Sequence, residues 1–328
     1  MMIDNRWKKI VVISGTICLV LLPVIATALG HGYFISLFTR ILIYSLAAVS
    51  LDLLLGFGGL VSLGHAAFVG IGGYVVGILY YHSAEAEPLF GFIPGSENAL
   101  VVLPSAILVA ALFAFVIGAL SLRTRGMHFI MITLAFAQMI FYFFIGLETY
   151  GGDDGLSLYA RNHIPFLDFS DDTQFYYVTL ISLIAFVFFI HRLVQSRFGL
   201  VIRGVALNER RINTLGISPY NYKLACFVIG GAGAGFAGAL LANQTEYVSP
   251  GMMHWSFSGE LMVMVLIGGM GTLFGPILGS ATFILLEEFL GMYTEHWMVY
   301  MGPVLVLIVI FAPKGFFGLL DGKGKRDG

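Results

Sequence analysis

The sequence predicts an all-α fold, a polytopic transmembrane helical bundle, on three observations: its composition, the length of its apolar runs and the sidedness of its basic residues. Of 328 residues, 58% are hydrophobic and 11% charged, with a mean hydropathy of +0.91. That is more apolar surface than one soluble core can hide, so lipid must solvate much of the chain. The apolar runs continue over about twenty residues, the length a helix needs to cross a bilayer, and lack the alternation of a barrel strand. A formal net charge of −2 gives no global attraction for nucleic acid, and no nucleic-acid partner is expected.

Breaks at glycine, proline and charges divide the chain into runs near 10–29, 38–56, 62–81, 99–122, 127–147 and 175–194. Four more follow near 224–243, 258–270, 276–291 and 298–312. The expected count is about ten spans (eight to ten), because 258–270 is short for a bilayer and is tilted, broken or continuous with its neighbour. The first run follows Arg6, Lys8 and Lys9 and ends near Ala26-Thr27-Ala28, which could pass for a cleavage site. At ~20 residues it exceeds the ~7–15 of a signal core, so a retained first helix is expected. Residues 1–328 are read as a single transmembrane domain.

Lysine and arginine fall on alternate sides of successive spans, as the positive-inside rule requires. Arg6, Lys8 and Lys9, then Arg123 and Arg125, then the residues of 195–223, then Lys314, Lys323, Lys325 and Arg326 share one side, the cytoplasmic one. Both termini are therefore expected in the cytoplasm. The opposite loops carry Glu85, Glu87 and Glu97, then Asp153, Asp154, Asp168, Asp171 and Asp172, with Arg40 and Arg161 as exceptions.

Forty-one glycines would be costly in water-soluble helices, but in lipid they let helix backbones approach closely. Gly70, Gly73 and Gly77 line part of the third span, Gly231 and Gly235 the seventh, and Gly271, Gly275 and Gly279 repeat every fourth position. Tight packing explains them. The clusters Gly56, Gly58, Gly59 and Gly268, Gly269, Gly271 also permit unwound backbone beside a pathway for a solute. Around the first cluster stand Asp52, Ser62 and His65. A charge near mid-bilayer costs ~2.5 kcal/mol or more, so Asp52 and His65 either face one another or a water-filled cavity, or lie near the cytoplasmic surface. Gln138, mid-span, has the choice of a solute or a neighbouring helix. Glu260, Glu287 and Glu288 lie close to span ends and are expected to reach the interface.

Cys18 and Cys226 both sit in apolar runs and read as packing residues. The eight histidines show no pair at metal-ligand spacing. No clustered nucleophile, base or metal ligand suggests an enzyme, and no catalytic or cofactor site is expected.

The segment 195–223 is the longest basic stretch outside the spans, with Arg203, Asn208, Glu209, Arg210, Arg211 and Lys223. Val201, Val205, Leu207 and Ile212 give it a partly amphipathic helix ended by Gly216 and Pro219. Such a stripe needs an apolar partner, which is the headgroup region, another protein or the chain's own spans.

Several separate stretches, in order, resemble the LivM-type permeases of the branched-chain amino-acid ABC importers. They are LDLLLGFGGLVSLGHAAFVGIGGY at 51–74, LRTRG at 122–126 leading into ITLAF at 132–136, and GGDDG at 151–155. Asn208-Glu209 with LGI at 215–217 and VLIGGMGTLFGP at 265–276 complete the set. The resemblance, which runs from about 46 to 313, implies a permease partnered by a LivH-type permease subunit, two cytoplasmic ATPase subunits and an extracytoplasmic substrate-binding protein, in a bacterial-type cytoplasmic (inner) membrane. ATP would be bound by the partner subunits, since the chain contains no Gly-x-x-x-x-Gly-Lys-Ser/Thr loop to cradle phosphates.

In that family the segment matching 196–219 is similar to the region that docks on the ATPase. Here Leu200 stands where the family often has arginine, and Val205-Ala206-Leu207 replaces an Ile-Arg-Glu run. Arg203, Asn208 and Glu209 remain as the matching polar residues. The resemblance also implies that 52–74 and 268–276 border the translocation path. Branched-chain or related amino acids are the expected solutes, with urea or other small amides, or an ion-coupled carrier built on Asp52, as the alternatives.

Overall fold

A computed structural model describes residues 6–28, 30, 32–86, 88, 94–164, 169–294, 296–311 and 315–316. Among the described residues twelve α-helices follow one another: α1 (Arg6–Ala28), α2 (Gly32–Asp52), α3 (His65–Ala84), α4 (Ala99–Ser121), α5 (Met127–Ile145) and α6 (Asp172–Gln195). Then come α7 (Arg197–Leu207), α8 (Glu209–Thr214), α9 (Pro219–Thr245), α10 (Trp255–Gly268), α11 (Gly275–Gly291) and α12 (Trp297–Phe311). Among the described residues the sole sheet pairs Leu156–Ser157 antiparallel with Tyr247–Val248. The sequence-placed residues His31, Glu87, Asp168, Lys314, Lys323, Lys325 and Arg326 lie outside the described residues.

Every apolar run forms a helix, and among the described residues six are long and apolar enough to cross a membrane: α2 with its continuation to Phe57, α3, α4, α5, α6 and α9. The runs near 258–270, 276–291 and 298–312 become helices of 14, 17 and 15 residues. The glycine-rich turn 268–275 separates the first two of them. Polar side chains start several helices, each accepting from an otherwise orphaned N–H of the first turn: Asn98 from Leu100 in α4, and Asp171 from Thr173 in α6.

Helix α9 is the hub, packed along α3, α4 and α2. Its glycines make this possible. A Cβ on Gly235 would stand 2.2 Å from Ala110 Cβ, one on Gly238 only 1.8 Å from the Val69 carbonyl oxygen, and one on Gly72 of α3 1.9 Å from the Gly235 carbonyl oxygen. The α3 glycines meet something the sequence did not suggest. Gly70 and Gly73 face Met253 and Met252, and Gly77 faces Leu156 and Val248, so the irregular connection 246–254, not another helix, lies along that side of α3. Elsewhere α4, α5 and α6 turn large apolar side chains outward, including Leu108, Leu112, Met131, Met139, Ile181 and Phe188.

Candidate functional site

Helix α2 ends at Asp52 and widens into one π-helical turn, Leu53–Phe57. Gly58 N–H then donates back to the Leu53 carbonyl (3.1 Å) and Leu60 N–H to that of Leu54 (2.9 Å). Gly56, four residues on, lies on the Asp52 side of the helix. There the turn between α10 and α11 arrives, and Gly271 N–H donates to Asp52 Oδ1 at 2.8 Å. A Cβ on Gly56 would lie 2.2 Å from both Asp52 Oδ1 and Gly271 N, so only glycine admits the contact. Gly271 itself sits at φ +70° and Gly269 at φ +111°, a backbone path closed to most side chains. The two glycine clusters therefore meet and form one clasp around a carboxylate that is 1% exposed.

His65 is fully buried and does not pair with Asp52. Its Nε2 lies 2.8 Å from Ser50 Oγ, and its Nδ1 has no hydrogen-bond partner. Ser62 Oγ accepts from Gly64 N–H (3.3 Å), and Ser258 Oγ of α10 accepts from Ala66 N–H (2.8 Å), which ties the start of α3 to α10. Asp52 and His65 are 1% and 0% exposed. Gln138 holds its Nε2 buried and without a hydrogen-bond partner.

A second polar cluster escaped sequence reasoning. Arg40 donates to both carboxylate oxygens of Glu287 (3.0 and 3.2 Å) and lies over the Tyr44 ring (5.4 Å), and Tyr33 bonds Glu288. Glu287 and Glu288 of α11 are thus partners for Arg40 and Tyr33 of α2. Arg40 as an exception to the charge rule was the available signal.

The basic segment is two helices, not one. Asn208 ends α7 and caps α8 by accepting from Arg211 N–H at 3.1 Å. Arg203 turns inward and donates to the carbonyls of Gly199 (3.1 Å) and Val194 (3.0 Å), bracing the α6–α7 corner. Glu209 also faces inward, pairing with Lys223 of α9 (3.0 Å) and Arg125 before α5 (3.4 Å). Arg210, Arg211 and Gly216 are exposed, as are Leu200 (63%), Leu207 (88%) and Leu215 (68%). The outward face of 195–219 is thus apolar at Leu200, Leu207 and Leu215 and basic at Arg197, Arg210 and Arg211. Behind α7 a groove of about 310 Å³ opens between Gly59, Val61, Phe129, Ala206, Glu209 and Lys223.

The described residues thus form a helical bundle with six helices long and apolar enough to cross a membrane, a buried glycine clasp and an amphipathic helix pair. The family model for the branched-chain amino acid transport system / permease component matches residues 33–312. The chain belongs to that family. It is 29% identical to the high-affinity branched-chain amino acid transport system permease protein LivM of Salmonella typhimurium over 301 residues, 84% of this chain and 68% of the relative. It is 28% identical to LivM of Escherichia coli over the same shares. The permease protein LivH of Escherichia coli is 27% identical over 143 residues, 43% of this chain and 45% of LivH. No solved structure matches.

Proposed function

We propose that this chain is the membrane-spanning permease subunit of an ATP-binding cassette importer that moves branched-chain or related amino acids into the cytoplasm. The observation that carries the reading is the family match over residues 33–312, together with the clasp of Asp52, Gly56 and Gly271, a glycine-gated break of the kind that solute pathways use. The path runs beside Asp52, Gly56, Gly58, Gly59, Ser62, His65 and Gln138 on one side and Gly268, Gly269 and Gly271 on the other. A LivH-type permease completes the pathway, two ATPases drive it and an extracytoplasmic binding protein supplies the solute.

The α7–α8 pair is the coupling element. Its exposed leucines and arginines, with Arg203, Asn208, Glu209, Arg210, Arg211 and Gly216 shaping it, suit an ATPase groove on the cytoplasmic side. Both termini lie on that side of a bacterial-type inner membrane. The six long helices and α1 span it, and α10, α11 and α12 supply broken or tilted spans, giving eight to ten crossings in one domain.

The test is gentle purification followed by reconstitution. A second permease and an ATPase pair should co-purify, and vesicles should accumulate labelled leucine only with ATP and binding protein. Charge reversal at Arg203 or Glu209 is expected to leave ATP hydrolysis running while uptake falls. Normal uptake by both variants defeats the coupling assignment, and uptake driven by a proton gradient without ATP defeats the importer reading.

A further inference from the structure

We infer that the groove behind α7 is a binding site for a free amino acid with an apolar side chain, on the side where the solute is released; this rests on the transport reading above. The groove holds about 310 Å³, near the lower end of small-molecule sites at ~300–1,000 Å³. Its chemistry carries both signs together with an apolar wall. Glu209 is the anion, held between Lys223 Nζ on Oε2 (3.0 Å) and Arg125 Nη2 on Oε1 (3.4 Å). Leu60, Val61, Leu122, Phe129, Ile130 and Val205 supply the apolar lining.

The two halves of the ion-pair node differ in a way that suits exchange. Lys223 is largely buried, with 15% of its side chain exposed, whereas Arg125 is 70% exposed. An exposed pair at 3.4 Å contributes little and is easily replaced. An α-ammonium group can take Oε1 of Glu209 in place of Arg125, while Lys223 keeps Oε2. The freed guanidinium then meets the ligand's α-carboxylate in the bidentate manner that arginine favours. That carboxylate would also lie at the start of α5, a 19-residue helix whose N-cap, Gly126, provides no side-chain cap, so partial positive charge is available to it. The branched side chain falls against Phe129 and Val61. A simple anion would meet Glu209 as a repulsion, and a simple cation would meet Lys223, so the node selects a zwitterion.

The test is equilibrium binding of labelled leucine to the purified full chain in phosphatidylcholine nanodiscs. Saturable binding is expected, weakened about tenfold or more by Glu209→Gln and by Arg125→Gln through loss of a charged contact. Leucinamide and 4-methylpentanoate, each lacking one ligand charge, should compete at least as poorly. Ala206→Trp adds bulk to the groove wall while leaving all three charged side chains in place and should abolish binding, which keeps the test decisive if Glu209→Gln fails to fold. Binding that survives Ala206→Trp but is lost in Asp52→Asn puts leucine in the pathway and overturns the groove site, while leaving the transport reading intact. No saturable binding overturns it as well. Failure of ATP-driven leucine uptake in vesicles, with groove binding present, counts against the transport reading alone.

Discussion

Replacing Gly56 by alanine tests the clasp directly. The added Cβ would stand 2.2 Å from Gly271 N and 2.7 Å from Gly271 Cα. Ordinary contact needs about 3.5 Å or more, so the α10–α11 turn must retreat by roughly 1 Å or the π turn must rewind. Either movement stretches the 2.8 Å bond between Gly271 N–H and Asp52 Oδ1 past useful length. A buried carboxyl oxygen and a backbone N–H are then left without each other, at about 1–3 kcal/mol for each unsatisfied group. The expected loss is about 3 kcal/mol, which lowers the thermal midpoint in detergent by roughly 4 °C on the per-residue entropy scaling. Intrinsic fluorescence or size-exclusion after heating reads this out. Gly259→Ala is the control, since a Cβ there meets nothing within 4 Å. A Gly56→Ala protein that melts with wild type refutes the argument that the clasp depends on glycine.

Other consequences can be checked similarly. Arg40→Met strands Glu287 beside α2 and should destabilise by about 2 kcal/mol, with most of the loss recovered in the Arg40→Met/Glu287→Met double variant; strictly additive losses would show that the 3.0 Å pair is not energetically coupled. Asn208→Ala removes the α8 cap at about 1 kcal/mol, so hydrogen exchange in 209–214 should quicken while the global midpoint stays put. Unchanged protection there would place the cap's contribution elsewhere.

How far the sequence carries differs between elements, for physical reasons. Long apolar runs announce α3, α4, α5, α6 and α9 because transfer into lipid depends on summed hydrophobicity, which is a local property. Boundaries slip by several residues: α9 begins at Pro219, which suits the first turn of a helix, rather than near 224. The break at Asn208 was hidden because an asparagine within an amphipathic pattern signals a cap only when its side chain turns back on Arg211. Glycines and buried polar residues marked both halves of the clasp. Their meeting depends on a contact between residues 52 and 271, which no local pattern encodes. The Arg40–Glu287 pair was missed for the same reason, and the direction of Arg203 and Glu209, which face carbonyls and basic side chains of neighbouring elements, depends on contacts of the same non-local kind.

The glycine contacts of α9 with α3 and α4 also govern tolerance to change. Where backbone touches backbone, as at Gly72 with Gly235 and Gly238 with Val69, there are no side chains to repack around an added methyl, so overpacking has no outlet. Substitutions should be rejected along this seam and accepted freely at outward positions such as Met131 and Ile181. A saturation-mutagenesis map would then show one intolerant stripe through the middle of the bundle. The same rigidity makes the seam the natural fixed frame against which probes on α5 or α7 can report displacement.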